Sequence, residues 1–422
     1  MRTRLKSNRT LLAVAGGVTL LALVASGCGS GRDYTAGEKT RAREAQSAIK
    51  AATDYDMASQ SFVAGDLKKA RTLIDSSIAQ NDQVVKSWVL KGRIETESEN
   101  FESAFEAFVK AESLDPEHAE AYYYHGLAFE RISDEEQALN QFLTACEFDA
   151  SSGAYVVAAA ETYVALGRVD EAEEFVNERY ERLQHNPGIN QTLGHISMIK
   201  NDFPAAIDFF SEAHVLAPDD GAILEDLAQA QVTAGQFAEA EYNLAKLLET
   251  KGYESRRDLL HSRARCLVEL DRPVEAREVL ILLTGGKEGG SDSEAWIELG
   301  HVSYVLGDYN RVKLAASRVI AQAPQRYEGF MLRAMWQRIE GDSSGAIQSL
   351  EKACAFRGTE SAPLILLGIV AQQSGELSKA QVAFAEAAQE NPQDTTAKQL
   401  LAIVEAQIEN SFANAPEEPE EN

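Results

Sequence analysis

A 34-residue step runs through this chain, and a chain that repeats itself at this interval can bury its apolar surface only by stacking like units. Frames starting at residues 51, 85, 119, 153, 187, 221, 257, 293, 327 and 361 follow one another every 34 residues, except for two steps of 36. The eighth place of each frame holds Ala58, Gly92, Gly126, Ala160, Gly194, Ala228, Ala264, Gly300, Ala334 or Gly368. The twentieth holds alanine throughout, from Ala70 to Ala380, except at Val312. Small residues at two fixed places suit two antiparallel helices whose backbones approach closely. Between them, the fifteenth place carries Gly65, Gly167, Gly235, Gly307, Gly341 and Gly375, with Asn201 and Asp271 among the substitutes. These residues tolerate the left-handed conformation that ends a helix. Large apolar residues recur at Phe108, Phe142, Phe210, Leu350 and Phe384, one helical turn beyond the small residue of the second helix. Pro116, Pro218, Pro324 and Pro392 stop the second helix before the next unit.

In the second frame Trp88, Gly92, Phe101, Ala104, Phe108, Ala111 and Pro116 form a set that resembles the tetratricopeptide repeat, with Lys91 where leucine is usual. The resemblance covers residues 51–393. It implies an all-α fold, a right-handed superhelical solenoid of about ten antiparallel helix pairs. Thr35-Ala36-Gly37-Glu38 has the spacing of a capping box, so residues 35–50 are expected to form a lead-in helix merging with the first repeat. Residues 394–410 read as a C-terminal capping helix that covers the last open face. Residues 411–422, rich in Pro, Glu and Asn, read as an acidic disordered tail.

The first residues have a different character. Arg2, Arg4, Lys6 and Arg9 precede an apolar run from Leu11 to Ala25, which is shorter than the roughly 20 residues a membrane-spanning helix needs. This suits a signal peptide over residues 1–27. The run ends in Val24-Ala25-Ser26-Gly27-Cys28, which resembles the lipobox of bacterial lipoproteins, although Ala25 stands where leucine is commonest. The resemblance implies cleavage before Cys28, acylation of its thiol and a short tether over residues 28–34. With Gly29 and not Asp following the cysteine, it further implies an outer-membrane anchor facing the periplasm.

The composition narrows the chemistry. A formal net charge of −26 disfavours nucleic acid, whose phosphates are bound through clustered cations, and favours basic protein partners. Cys146, Cys266 and Cys354 are widely and irregularly spaced, with neither a C-x-x-C pair nor a metal-ligand pattern, and read as free core thiols. Neither a His-Glu-x-x-His motif nor a Gly-x-Ser-x-Gly elbow occurs. Gly285-Gly286-Lys287 superficially suggests a phosphate loop, but Ile281 occupies the first glycine place and Glu288 follows the lysine. That stretch, where the step lengthens to 36, reads as a flexible inter-repeat loop. No cofactor, metal site or catalytic group is expected.

A surface remains. In tetratricopeptide arrays the first helix of each repeat lines the concave face where partners dock. That resemblance makes Arg93, Tyr123, His195, Gln229, His261, Arg265, His301, Tyr304, Met331 and Met335 the candidate groove residues. None of the first helices has the Lys-x-x-x-Asn pattern of chaperone-binding repeats. The expected function is a lipid-anchored scaffold or adaptor that holds other envelope proteins or peptides. A regulatory subunit of an enzyme on another chain, or a small-molecule or glycan binder, are the alternatives.

Overall fold

The computed structural model describes residues 36–393 and 395–413, and places the side chains of residues 41–393 and 395–410. The expected signal peptide over residues 1–27, Cys28, the expected tether over residues 28–34 and residues 414–422 lie outside them. The described residues form 22 helices and no strand. No helix among them is long and apolar enough to cross a membrane.

The chain divides into two compact units, one ending at Asn100 and the other beginning at Phe101. The first contains α1 (Ala36–Val63), α2 (Leu67–Gln80) and α3 (Val85–Glu97). Helix α1 is unbroken from the lead-in segment through the first repeat. It packs antiparallel to α2, with Ser47 Oγ donating to Gln80 O (2.9 Å) and Ser77 Oγ to Ala51 O (2.8 Å). Ala58, Ala70, Ile74, Leu90 and Ile94 form the core of this unit.

The second unit opens with α4 (Phe101–Leu114). Helix pairs follow: α5 (Ala119–Arg131) with α6 (Glu135–Phe148), α7 (Gly153–Ala165) with α8 (Val169–Leu183), and α9 (Pro187–Ile199) with α10 (Phe203–Leu216). Next come α11 (Gly221–Thr233) with α12 (Phe237–Leu248), and α13 (Arg257–Glu269) with α14 (Pro273–Thr284). After the single turn α15 (Gly286–Gly289) come α16 (Ser293–Val305) with α17 (Tyr309–Gln322), α18 (Tyr327–Ile339) with α19 (Ser343–Phe356), and α20 (Ala362–Gln373) with α21 (Leu377–Glu390). Helix α22 (Thr395–Ala413) packs on α21 and runs three residues past the boundary expected at residue 410. The first helix of each pair is called A below, and the second B.

Each A helix is seated on its B helix through the small residue at the eighth place. A Cβ added to Gly126 would lie 2.5 Å from the Phe142 ring, and one added to Gly194 2.5 Å from the Phe210 ring. Gly368 is closed off by Phe384 in the same way. Where the small residue is alanine, an aliphatic side chain replaces the ring: Ala160 with Val176, Ala228 with Leu244, Ala264 with Leu280, Ala334 with Leu350. The pair thus keeps its combined volume. Gly300 departs, because the large residue's frame place holds Ala316, and Leu332 of the next repeat fills the space beside Ala315.

The A-to-B turn is equally uniform. All ten residues at the fifteenth place have positive φ, including Glu99 (61°) and Ser133 (58°), which the sequence does not mark as turn formers. A left-handed non-glycine residue costs roughly 1–2 kcal/mol, so at Ser133 the packing of α5 on α6 overrides local preference. An aspartate follows at many of these turns. Asp66, Asp134, Asp202, Asp308 and Asp342 each accept a backbone N–H three residues on and cap the B helix.

The segment at residues 285–290 differs from the flexible loop expected. It holds α15, whose Gly289 is buried, and the Trp296 indole Nε1 donates to Gly289 O at 3.0 Å. The buried indole N–H needs an acceptor, and it fixes the turn. Cys146 and Cys266 are buried and Cys354 is half-buried; all three are unpaired, and burial pushes their thiols up to about 11.

Two outcomes follow from these contacts. Gly194→Ala should lower stability by about 1–3 kcal/mol in urea unfolding, despite alanine's higher helix propensity. Adding Phe210→Leu should recover much of that loss by recreating the Ala228–Leu244 pairing. Ser133→Gly should raise stability by about 1 kcal/mol, because glycine adopts the left-handed turn without strain.

Candidate binding groove

In the second unit the A helices lie side by side, and polar contacts join most neighbours. Thr162 Oγ1 on α7 donates to Glu130 on α5 (3.2 Å). Gln191 Nε2 and His195 Nε2 on α9 both reach Asp226 Oδ2 on α11, at 2.7 and 3.0 Å. His261 Nε2 on α13 meets Asp292, the N-cap of α16, at 2.9 Å. Arg338 Nε on α18 donates to Gln373 on α20 (3.1 Å), and Gln372 Nε2 to Gln407 on α22 (2.9 Å). The arginines before α13 and α18 act likewise, Arg256 on Glu225 and Arg326 on Glu294.

The ten groove residues take three kinds of place. Gln229, His261 and Arg265 come together. With Val232, Ser262, Glu294 and Glu298 they line an open cleft of about 340 Å³ formed by α11, α13 and α16. His195 and His301 are exposed on the same frame place three repeats apart; the His195 ring stands edge-on to Phe210 at 5.2 Å. Tyr123, Tyr304, Met331 and Met335 are half-buried and pack on the repeat cores, Tyr123 against Tyr155 at 4.9 Å. Arg93 belongs to the first unit, where its guanidinium lies 5.1 Å from the Phe62 ring centroid.

The sequence reading passed over the carboxylates. Glu161 raises Glu130 through its charge, and neither forms an ion pair with a lysine or arginine among the described residues. Loss of water pushes both above the usual carboxylate range; the Thr162 hydrogen bond opposes this at Glu130, and His195 opposes it at Glu161. Glu298 is raised for the same reason, with His261 Nδ1 only 4.0 Å away. A signal for Glu161 was present, since it holds the same frame place as His195 and Gln229.

The imidazoles diverge. The Asp226 hydrogen bond raises His195 above its usual 6.5, against the effect of desolvation. His301 keeps an exposed edge, yet loss of water around it lowers it below 6.5, with Glu328 and Glu294 opposing. Among the described residues no group of three or more His, Cys, Asp or Glu side chains could hold a metal ion.

Family models described as tetratricopeptide repeat match residues 89–155 and 153–178. The chain carries tetratricopeptide repeats. Superkiller protein 3 of Schizosaccharomyces pombe is 29% identical over 162 residues, which is 36% of this chain and only 12% of that protein. Among solved structures, a tetratricopeptide repeat protein from Parabacteroides merdae is similar at 17% identity, covering 59% of this chain and 97% of that one, with a TM-score of 0.44. PilW, a type IV pilus biogenesis factor, is similar at 15% identity over 49% of this chain and 97% of its own, with a TM-score of 0.42. Tetratricopeptide repeats bind protein or peptide partners, and a protein-interaction role is the coarse function that the family match supports.

The His195–Asp226 pair has a definite pH signature. A folded value above 6.5 means that its stabilisation is complete below pH 6.5 and fades as pH rises through the folded value. In an NMR titration His195 should titrate above 6.5 and His301 below it. Asp226→Asn should bring His195 down while leaving His301 unchanged.

Proposed function

We propose that this chain is a membrane-tethered scaffold that holds an envelope protein against the A-helix face of its repeats. The observation that carries the reading is the cleft between α11, α13 and α16. Gln229 and Arg265 are exposed there: Gln229 bonds within its own helix, to Thr233 (3.4 Å), and Arg265 acts on Glu298 of α16 through its charge, with no hydrogen bond to that helix among the described residues. The B helices supply the cores on which the A helices sit, while the A helices present unlike side chains from one repeat to the next. Uniform packing on one side and varied chemistry on the other is what a recognition surface needs.

The tether is supported by the sequence alone. Arg2, Arg4, Lys6 and Arg9, the apolar run that follows, and Val24-Ala25-Ser26-Gly27-Cys28 favour acylation at Cys28 and a place at the outer membrane, facing the periplasm. The excess of acidic over basic residues favours basic partners.

A photo-crosslinking amino acid at Gln229 in cells tests the holding function. It should capture defined proteins that the same group at Val382, exposed on the B helix α21, does not. Equal capture from both positions would sink the reading. Cys28→Ser should abolish fatty-acid labelling and move the protein to the soluble fraction; a variant that stays on the membrane would remove the tether from the proposal.

A further inference from the structure

Taken in order along the second unit, the A helices change in chemistry. At the N-terminal end, α5 and α7 present Glu120, Glu130 and Glu161 beside Tyr123 and Tyr155. Tyr123 lies within the field of both Glu130 and Glu161, and Tyr155 within that of Glu120. No lysine or arginine is among the groups that act on Glu130 or Glu161. Aromatic faces beside uncompensated carboxylates favour a cation, which gains from both.

The middle of the layer is polar. The fifth and ninth frame places carry Gln191 and His195 on α9, Glu225 and Gln229 on α11, and His261 and Arg265 on α13. Three of these line the cleft, so the ninth place, and the fifth on α13, face the open side of the layer; on α16 the fifth place is the buried Ile297 and the ninth the exposed His301.

At the C-terminal end the same two places turn aliphatic. They are Met331 and Met335 on α18 and Ile365 and Ile369 on α20, all half-buried, and the corresponding place on α22 holds Ile403, 49% exposed. Arg338 with Gln373, and Gln372 with Gln407, form a polar rim at one edge of this stripe. A stripe of methionine and isoleucine edged by amides is adaptable apolar surface of the kind that accepts a partner's side chains.

We infer that the A-helix face receives one extended partner segment that carries lysine or arginine at one end and aliphatic residues at the other. The basic end lies over Glu130 and Glu161, and the aliphatic end over Met331, Met335, Ile365, Ile369 and Ile403. This rests on the A face being the holding surface, and adds which partner it selects. Charge complementarity fixes one end of the occupant and the aliphatic stripe the other. The length follows from the helix layer. Six helix-to-helix steps separate α7 from α20, and at about 10 Å each they span about 60 Å, or about eighteen residues of extended chain.

The test uses the full-length protein and a fluorescent synthetic peptide with about four Lys/Arg residues, a Ser/Asn spacer of about ten and about four Leu/Ile residues, sized by the span above. Fluorescence anisotropy should show saturable binding. Cutting the spacer to about four residues should weaken binding at least about tenfold, because one end can then no longer reach its site. Glu130→Gln with Glu161→Gln should weaken it about fivefold and flatten its salt dependence. Ile403→Asp, at an exposed position that leaves folding intact, should weaken it about fivefold with the salt dependence unchanged. Equal binding of the short-spacer peptide, or indifference to both sets of substitutions, would overturn the inference. So would self-association through the stripe that the peptide does not displace, since the occupant would then be a second copy. If Gln229 crosslinks captured proteins in cells while the peptide failed to bind, this inference would fall and the holding function would stand.

Discussion

The structure depends on one contact made over and over, the seat of an A helix on the large side chain of its B helix. At Gly126, Gly194 and Gly368 that side chain is a phenylalanine ring, and the absent Cβ is the room it occupies. With an alanine in the A helix the B helix supplies valine, leucine or isoleucine. Protein interiors are close-packed, so the two places must change together or leave either a clash or a void. Because this seat fixes the distance between the two helices, the residues facing away from it are free to vary. That freedom is what lets one repeat offer Glu161 where the next offers His195 and the one after it Gln229.

The seat, the turn and the cap were legible in the sequence to different degrees. The small residues at the eighth and twentieth places show as bare spacing. The left-handed turn shows where Gly, Asn or Asp occupies the fifteenth place, and is hidden at Glu99 and Ser133, whose local preference lies elsewhere. At Ser133 the packing of α5 on α6 decides the backbone, and propensity has no vote. The turn at Gly286–Gly289 was misread for a related reason. A run of glycines in sequence signals freedom, but the Trp296 indole that removes it becomes visible only once its donor is aimed at Gly289 O.

The groove was less legible than the fold. A frame place says which way a side chain points, and the structure brings Gln229, His261 and Arg265 together around one cleft. The frame place does not say how far the side chain is already engaged. Tyr123, Met331 and Met335 point into the layer, yet also pack on the cores of their repeats. The carboxylates were harder still. In a chain with 66 acidic residues a glutamate carries almost no information by type. What distinguishes Glu130 and Glu161 is lost water and missing counter-charge, and both are properties of the assembled layer.

The arithmetic of charge across α7, α9 and α11 shows why such a site persists. His195 stands between two carboxylates, Glu161 on one neighbouring helix and Asp226 on the other. It gives its hydrogen bond to Asp226 at 3.0 Å. One imidazolium can balance only one carboxylate, and above its titration it balances neither. Glu161 therefore shares the His195 charge with Asp226 and has no lysine or arginine of its own, and it acts on Glu130, which has none either. A lysine at either position would relieve that repulsion, and nothing in the repeat packing forbids one, because neither side chain takes part in the A–B seat. An arrangement that costs stability and is not required by the fold is best understood through what it binds. On the proposed reading, the cation that completes this layer comes from a bound partner.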